Sequence, residues 1–129
     1  MTRRETAVNE VLSIMRDYQA AFESGTRDDV QRFVHLPVTY IAEDTVQLRD
    51  RYPFDPEKLR QHLNFDHVDM TSDVLHIDET KAHVLITGKR KRADDSLIET
   101  VESIYIFQRR DGEWKIVAFS GVRTPAADS

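Results

Sequence analysis

Apolar residues in the first 24 positions recur at three- and four-residue steps: Val8, Val11, Leu12, Met15, Tyr18 and Phe22, with Ile14 and Ala21 beside them. That spacing predicts a long amphipathic helix with one buried stripe. Thr2 with Glu5 fits a capping box at its start, and Gly25 stands where a helix C-cap takes a left-handed residue. Thr26 with Asp29 repeats the capping-box pattern and opens a short second helix through Val30 and Phe33, ended by Pro37. The run VTYIAEDTVQL, apolar on both sides of Glu43-Asp44, predicts a β-hairpin. Asp55-Pro56-Glu57 then marks a third helix, an acidic N-cap followed by proline at the first helical position, reaching His62 or Leu63.

From Asn64 the pattern changes to that of strands. Residues 65–78, 81–92, 97–109 and 113–123 predict four long strands, joined by turns at 93–96 and at Arg110-Asp111-Gly112, where the glycine supplies a positive φ. The tail from Thr124 is expected to fray. Helices first and antiparallel strands afterwards make an α+β order in one domain, 1–129, with its core over about 5–123.

Composition narrows the class. Of 129 residues, 40% are hydrophobic and 32% charged, with four glycines and four prolines, which excludes disordered and low-complexity chains. With no cysteine there is no disulfide framework, thiolate nucleophile or cysteine-based zinc site. A net charge of −5 argues against a nucleic-acid partner, because counterion release needs a basic surface. No apolar run is long enough to cross a membrane, and Glu5 and Asn9 interrupt any signal-peptide core, so the expectation is a cytoplasmic protein. The run Lys89–Arg92 leads into Asp94-Asp95 and reads as a charged hairpin tip that offsets itself.

The element order, the segment YQAAFESG (Tyr18 to Gly25) and the ending YIFQRRDGEWKIVAFSG together resemble the nuclear transport factor 2-like (SnoaL-like, cystatin-like α+β) superfamily. The resemblance spans roughly residues 5–123. It implies a cone-shaped barrel, with three N-terminal helices packed in the concave face of a curved, mostly antiparallel sheet and a pocket at the open end. Members include steroid isomerases, scytalone dehydratase, limonene epoxide hydrolases and polyketide cyclases, so the fold alone leaves the function open.

Tyr18 stands seven residues before Gly25, the spacing at which ketosteroid isomerases carry the tyrosine that donates to an enolate oxygen. The sequence departs from that pattern at the base, which falls near Ile41, and at the protonated acid, which falls at or beside Tyr105. The epoxide hydrolases' Asp-Arg-Asp arrangement has no strand-embedded match, since Arg49-Asp50-Arg51 follows the hairpin. Scytalone dehydratase uses paired histidines with tyrosines and an aspartate; here His67 and His83 lie on neighbouring strands, with Tyr18, Tyr40 and Asp69 as possible companions. His35, before Leu36-Pro37, reads as a cap on the end of the second helix. Neither the histidine spacing nor Asp66, Asp69 and Asp73 forms a metal motif, and the sequence calls for no metal and no cofactor.

Strand alternation, phased by the superfamily alignment, places Val101, Ser103, Tyr105 and Phe107 on the pocket face with His83, Leu85, Thr87, Val68 and Met70. Phe22 and Ala118 complete the expected lining, and His67 and Asp69 fall on the other face. The reading is a domain that binds a small apolar or aromatic molecule, with Tyr18 and His83 as the candidate catalytic pair of a lyase, isomerase or cyclase. The alternative is a non-catalytic interaction or accessory module that uses the sheet face. Apolar residues on both faces of the strands also point to a homodimer formed through the sheet.

Overall fold

The structure, a computed structural model, describes residues 2–125. Helices α1 (Arg3–Ser24) and α2 (Arg27–Gln31) lead into strands β1 (Val34–Ile41) and β2 (Val46–Arg49). Helix α3 (Pro56–Leu63) precedes four long strands: β3 (Phe65–Ile77), β4 (Lys81–Arg92), β5 (Leu97–Arg110) and β6 (Glu113–Pro125). The Thr2 hydroxyl accepts the Glu5 N–H at 3.0 Å, both halves of the Thr26–Asp29 capping box are formed, and the Asp55 carboxylate accepts from the Glu57 and Lys58 N–H groups. Each cap satisfies donors that a helix start leaves without partners.

Three local expectations change. Gly25 is extended rather than left-handed, with φ −108°. Its need for glycine is steric: a Cβ there would lie 2.7 Å from both the Ala21 carbonyl oxygen and Asp29 Oδ2. The second helix stops at Gln31, so Pro37 lies inside β1 instead of ending a helix. His35 therefore sits on a strand and caps no helix. Strand β6 runs through Pro125, past the point where fraying was expected; the residues after it lie outside those described.

One six-stranded sheet forms in the order β2-β1-β6-β5-β4-β3. Among the described strands, only the β1–β6 pairing is parallel; the others are antiparallel. The sheet does not close: β2 and β3 are its edges. Helix α1 lays Val11, Met15, Tyr18 and Phe22 against Ala82, Val84, Ile86, Phe107, Trp114, Ile116 and Phe119 of the concave face. Side chains of this size, fully buried, contribute on the order of 1.5–3 kcal/mol each.

Polar contacts fix how the helices sit. The Gln19 amide donates to the Val68 carbonyl at 2.9 Å, and Glu23 accepts the Val68 N–H at 3.3 Å. These side chains occupy backbone groups of the edge strand that would otherwise template another chain. From α3, the Arg60 guanidinium donates to the carbonyls of Phe22, Glu23 and Gly25 at the end of α1. A cation at a helix C-terminus is favoured by both the free carbonyls and the helix dipole. Among the described residues, no helix is long and apolar enough to cross a membrane.

Register decides which residues face inward. Val84 pairs with Val74 and Tyr105, and Ile86 with Ser72 and Ser103, so Ala82, Val84, Ile86 and Gly88 form the buried face of β4. His83, Leu85 and Thr87 consequently point to the outer face, a correction to the expected lining. In β6 a bulge leaves Val117 unpaired between Ile116, opposite Phe107, and Ala118, opposite Ile106. The extra residue flips the alternation: Ile116 and Phe119 are inside, and Ala118 is outside with Ile106.

Candidate functional site

A cavity of about 650 Å³ opens between α1, α3, the segment before α3 and the concave sheet. Tyr18, Phe22, Tyr105 and Phe119 are its most enclosed aromatic lining, each 9% exposed or less. Phe22, Phe54, Leu59, Val68, Met70, Ile86, Val101 and Ser103 line its walls, while Glu43, Asp44, Lys58 and His62 stand at its exposed rim.

The segment before α3 is held in place by α2. The Tyr52 N–H donates to Gln31 Oε1 at 3.0 Å, and Arg27 Nε donates to the Phe54 carbonyl at 3.0 Å while facing Asp55 at 3.6 Å. This clamp buries Tyr52 completely and turns Phe54 toward the cavity. Tyr52, Tyr105 and Phe54 all meet Phe119 edge-on, with ring centroids 5.8, 4.7 and 5.3 Å away. Such edge-to-face contacts place the positive rim of one ring on the negative face of the next.

Three phenols meet behind the cavity. The Tyr18 and Tyr52 hydroxyls are hydrogen-bonded to each other, and the Tyr18 and Tyr105 oxygens are 3.4 Å apart. Burial, followed by the neighbouring tyrosines, holds Tyr18 well above the usual phenol range; burial does the same to Tyr52 and raises Tyr105. All three are therefore neutral donors at ordinary pH. Their chain has a direction. Tyr52 is fully enclosed and is not on the cavity wall, so its proton is spent on Tyr18. With Tyr52 donating to Tyr18, the donors turned toward the cavity are those of Tyr18 and Tyr105, whose oxygens are 3.4 Å apart and which both line it. The reverse order would strand a buried donor on Tyr52, at a cost of about 1–3 kcal/mol.

Arg90 enters the same cavity from β4. Its Nη1 donates to Glu99 Oε1 at 2.6 Å, and its guanidinium lies 5.3 Å from the Phe22 ring centre. Both side chains of the pair are largely shielded, 16% and 9% exposed. Opposite Ser103, Gly121 leaves room for the serine hydroxyl: a Cβ at Gly121 would lie 2.6 Å from Ser103 Oγ.

Of the residues singled out in the sequence, Tyr18, Phe22, Val68, Met70, Ser103 and Tyr105 come together on this cavity. Phe107 is inward but completely buried and not on the cavity wall. Leu85, Thr87 and Ala118 lie on the outer face, as described above. So does His83, whose ring stands 6.2 Å from that of His76. The sheet separates His83 from Tyr18, and the two cannot act on one molecule.

Tyr52, Phe54, Phe119 and Arg90 were not singled out. Arg90 was legible in principle, since it continues the Ala82-Val84-Ile86-Gly88 alternation by one step. Tyr52 carried no periodic signal, because it sits in a segment without regular structure.

On the outer face, His67 bonds Asp66 at 2.9 Å and Asp95 at 3.1 Å, which raises its pKa, with the Asp66 bond the largest cause. His67, Asp69 and Asp95 bring possible ligand atoms within 4.8 Å of one another. The Lys91 ammonium, 2.8 Å from Asp69 and 3.5 Å from Asp95, already supplies positive charge there.

Solved structures share the fold. An NTF2-like protein of unknown function from Methylobacillus flagellatus is 15% identical, with a TM-score of 0.63 over 94% of this chain and 93% of that one. A domain of unknown function with a cystatin-like fold from Nostoc punctiforme is 11% identical, with a TM-score of 0.67 over 99% and 82%. A protein provisionally named scytalone dehydratase, from Novosphingobium aromaticivorans, is 14% identical, with a TM-score of 0.67 over 98% and 89%. No curated protein matches the sequence. The model of an NTF2-like protein family, DUF6841, matches residues 57–124, more than half of the chain, and the chain belongs to that family.

Proposed function

We propose that this chain binds a small, mostly apolar molecule that sets an acceptor oxygen against the Tyr105 hydroxyl. The observation that carries this reading is the Tyr52–Tyr18–Tyr105 cluster of phenol oxygens, which brings the Tyr18 and Tyr105 hydroxyls to the wall of a cavity lined largely by aromatic and aliphatic side chains. A few placed polar groups in an apolar cleft are the usual pattern of a ligand site. The protein provisionally named scytalone dehydratase lends the reading a catalytic neighbour of the same fold. Chemistry on the ligand would use the phenols to polarise a carbonyl. The acids and the histidine lining the cavity, Glu43, Asp44, Asp55 and His62, stand toward its mouth rather than beside the phenols, so binding takes precedence over turnover here.

The test is a thermal-shift screen of wild type and Tyr105→Phe against small ketones, phenols and terpenoids. A ligand at one hundred times its Kd adds about 2.7 kcal/mol, a shift on the order of 10 °C for a domain of this size. A ketone hit weakened by Tyr105→Phe supports the reading; hits indifferent to that substitution, or none, sink it.

A second reading concerns the outer face. Val46, Leu48 and Val122 are 74%, 69% and 62% exposed there, beside Ile104, Ile106 and Leu85. Apolar residues across a sheet face favour cover by a second copy of the chain, and we propose a homodimer through this face.

A further inference from the structure

We propose that the natural ligand carries a carboxylate and that Arg90 receives it, which makes the cavity a site for hydrophobic organic acids. The inference rests on the reading above, that the cavity takes a small apolar molecule.

Arg90 is a cation placed in an apolar wall, where an unassisted charge is costly. Its surroundings fix it without using it up. Glu99, 7% exposed, engages Nη1 at 2.6 Å. The Phe22 ring lies beneath the guanidinium, its centre 5.3 Å from Cζ. Among the described residues, Nε and Nη2 have no hydrogen-bond partner, and the side chain lines the cavity. An arginine anchored through Nη1 and set over an aromatic ring keeps Nε and Nη2 for a ligand, and that pair of N–H groups is what a planar carboxylate matches with two parallel hydrogen bonds.

Register puts this group on the same wall as the phenol donor. Arg90 faces Glu99 across the β4–β5 pair, and Val101, Ser103 and Tyr105 follow on the same inward row of β5. A ligand between them would have its acceptor oxygen on Tyr105, its apolar body on Phe22, Val101 and Phe119, and its carboxylate on Arg90. Other charges face the cavity. Lys58 and His62 line the α3 side of the rim, and Glu43 and Asp44 the hairpin side. Asp55 is occupied by Arg27 and by the start of α3. These rim groups are exposed or otherwise engaged, so the carboxylate is read by the shielded Arg90.

The test compares cinnamate with two uncharged molecules of the same body, cinnamamide and the methyl ketone benzalacetone, by calorimetric titration of the full chain. The expected result is that cinnamate binds about tenfold or more tighter than either neutral molecule, as charge-assisted pairing requires. Arg90→Gln should erase that preference, the acid losing about tenfold more affinity than either neutral molecule. Because Arg90→Gln leaves Glu99 buried without this partner, the double variant Arg90→Gln/Glu99→Gln, which removes both charges, is measured alongside it. Equal affinity for acid and neutral molecules in wild type would overturn the proposal and leave the cavity reading standing. So would an acid preference that survives in the double variant. Binding of none of the three would overturn both.

Discussion

The hydroxyls of Tyr18 and Tyr52 bond to each other although the residues are 34 positions apart, one on a helix face and the other in a segment without regular structure. A bond between two phenols in a closed aromatic nest should be measurable as a coupling. Tyr52→Phe is expected to cost about 1 kcal/mol, with a similar loss for Tyr18→Phe. In a double-mutant cycle by urea unfolding, the second substitution should cost less by roughly 0.5–1.5 kcal/mol once the first has been made. Strict additivity would mean that the two hydroxyls do not support each other.

Gly121 and Ser103 form a second coupled pair. Gly121→Ala places a methyl group 2.6 Å from the original Ser103 Oγ position, so the serine must leave the site. Overpacking of this kind typically costs on the order of 1–3 kcal/mol. Adding Ser103→Ala removes the obstructing oxygen, and the melting temperature should rise back toward wild type. A double variant no more stable than Gly121→Ala alone would locate the strain elsewhere.

Two histidines should tilt stability with pH in opposite directions. His35 is half-buried, its Nε2 is buried with no partner among the described residues, and desolvation, followed by Arg110 and Lys115, lowers its pKa from 6.5. The unfolded chain then binds more protons than the folded one as pH falls through that value, so acidification removes stability. His67 is raised from 6.5 chiefly by its bond to Asp66, so its contribution is present at low pH and is lost as pH rises through the raised value. Urea midpoints measured between about pH 5 and 8 should show His35→Gln reducing the acid-side loss and His67→Gln reducing the acid-side gain. Parallel pH curves for wild type and both variants would show that neither site titrates differently on folding.

The outer face gives a prediction about assembly. Val122→Glu and Leu48→Glu change side chains that are 62% and 69% exposed in the single chain, so neither should disturb its folding. Light scattering should report a dimer for wild type and a monomer for the double variant, with unchanged circular dichroism. A monomeric wild type would leave the outer apolar residues without this explanation.

Much of the architecture follows from local physics that a sequence states directly. The stripe on α1, the capping acids and hydroxyls at Thr2, Thr26 and Asp55, and the positive φ at Gly112 depend only on residues a few positions apart. So does the order of the four long strands. The face of β4 does not: Ala82, Val84 and Ile86 alternate with His83, Leu85 and Thr87, and apolar residues occur in both sets. When both faces of a strand are partly apolar, alternation gives a period but no phase, and cross-strand register supplies the phase. In β6 even a correct phase fails after Ile116, because one unpaired residue at Val117 exchanges Ala118 for Phe119 on the inner face.

The candidate site divides along the same line. Tyr18 could be read from the sequence because the periodicity of α1 shows one inner face, whereas Tyr105, on a strand apolar on both faces, took its phase from the superfamily resemblance. Tyr52 reaches them through Gln31 and Arg27, contacts 21 and 27 residues apart along the chain. Arg90 read as one of four surface charges until its strand turned it inward onto Glu99 and Phe22. The sequence by itself determined the elements and their order, since these rest on short-range sterics, caps and hydrophobic period. Only the tertiary structure decided which polar groups share one enclosed volume, because desolvation and hydrogen bonding act on distances in space rather than along the chain.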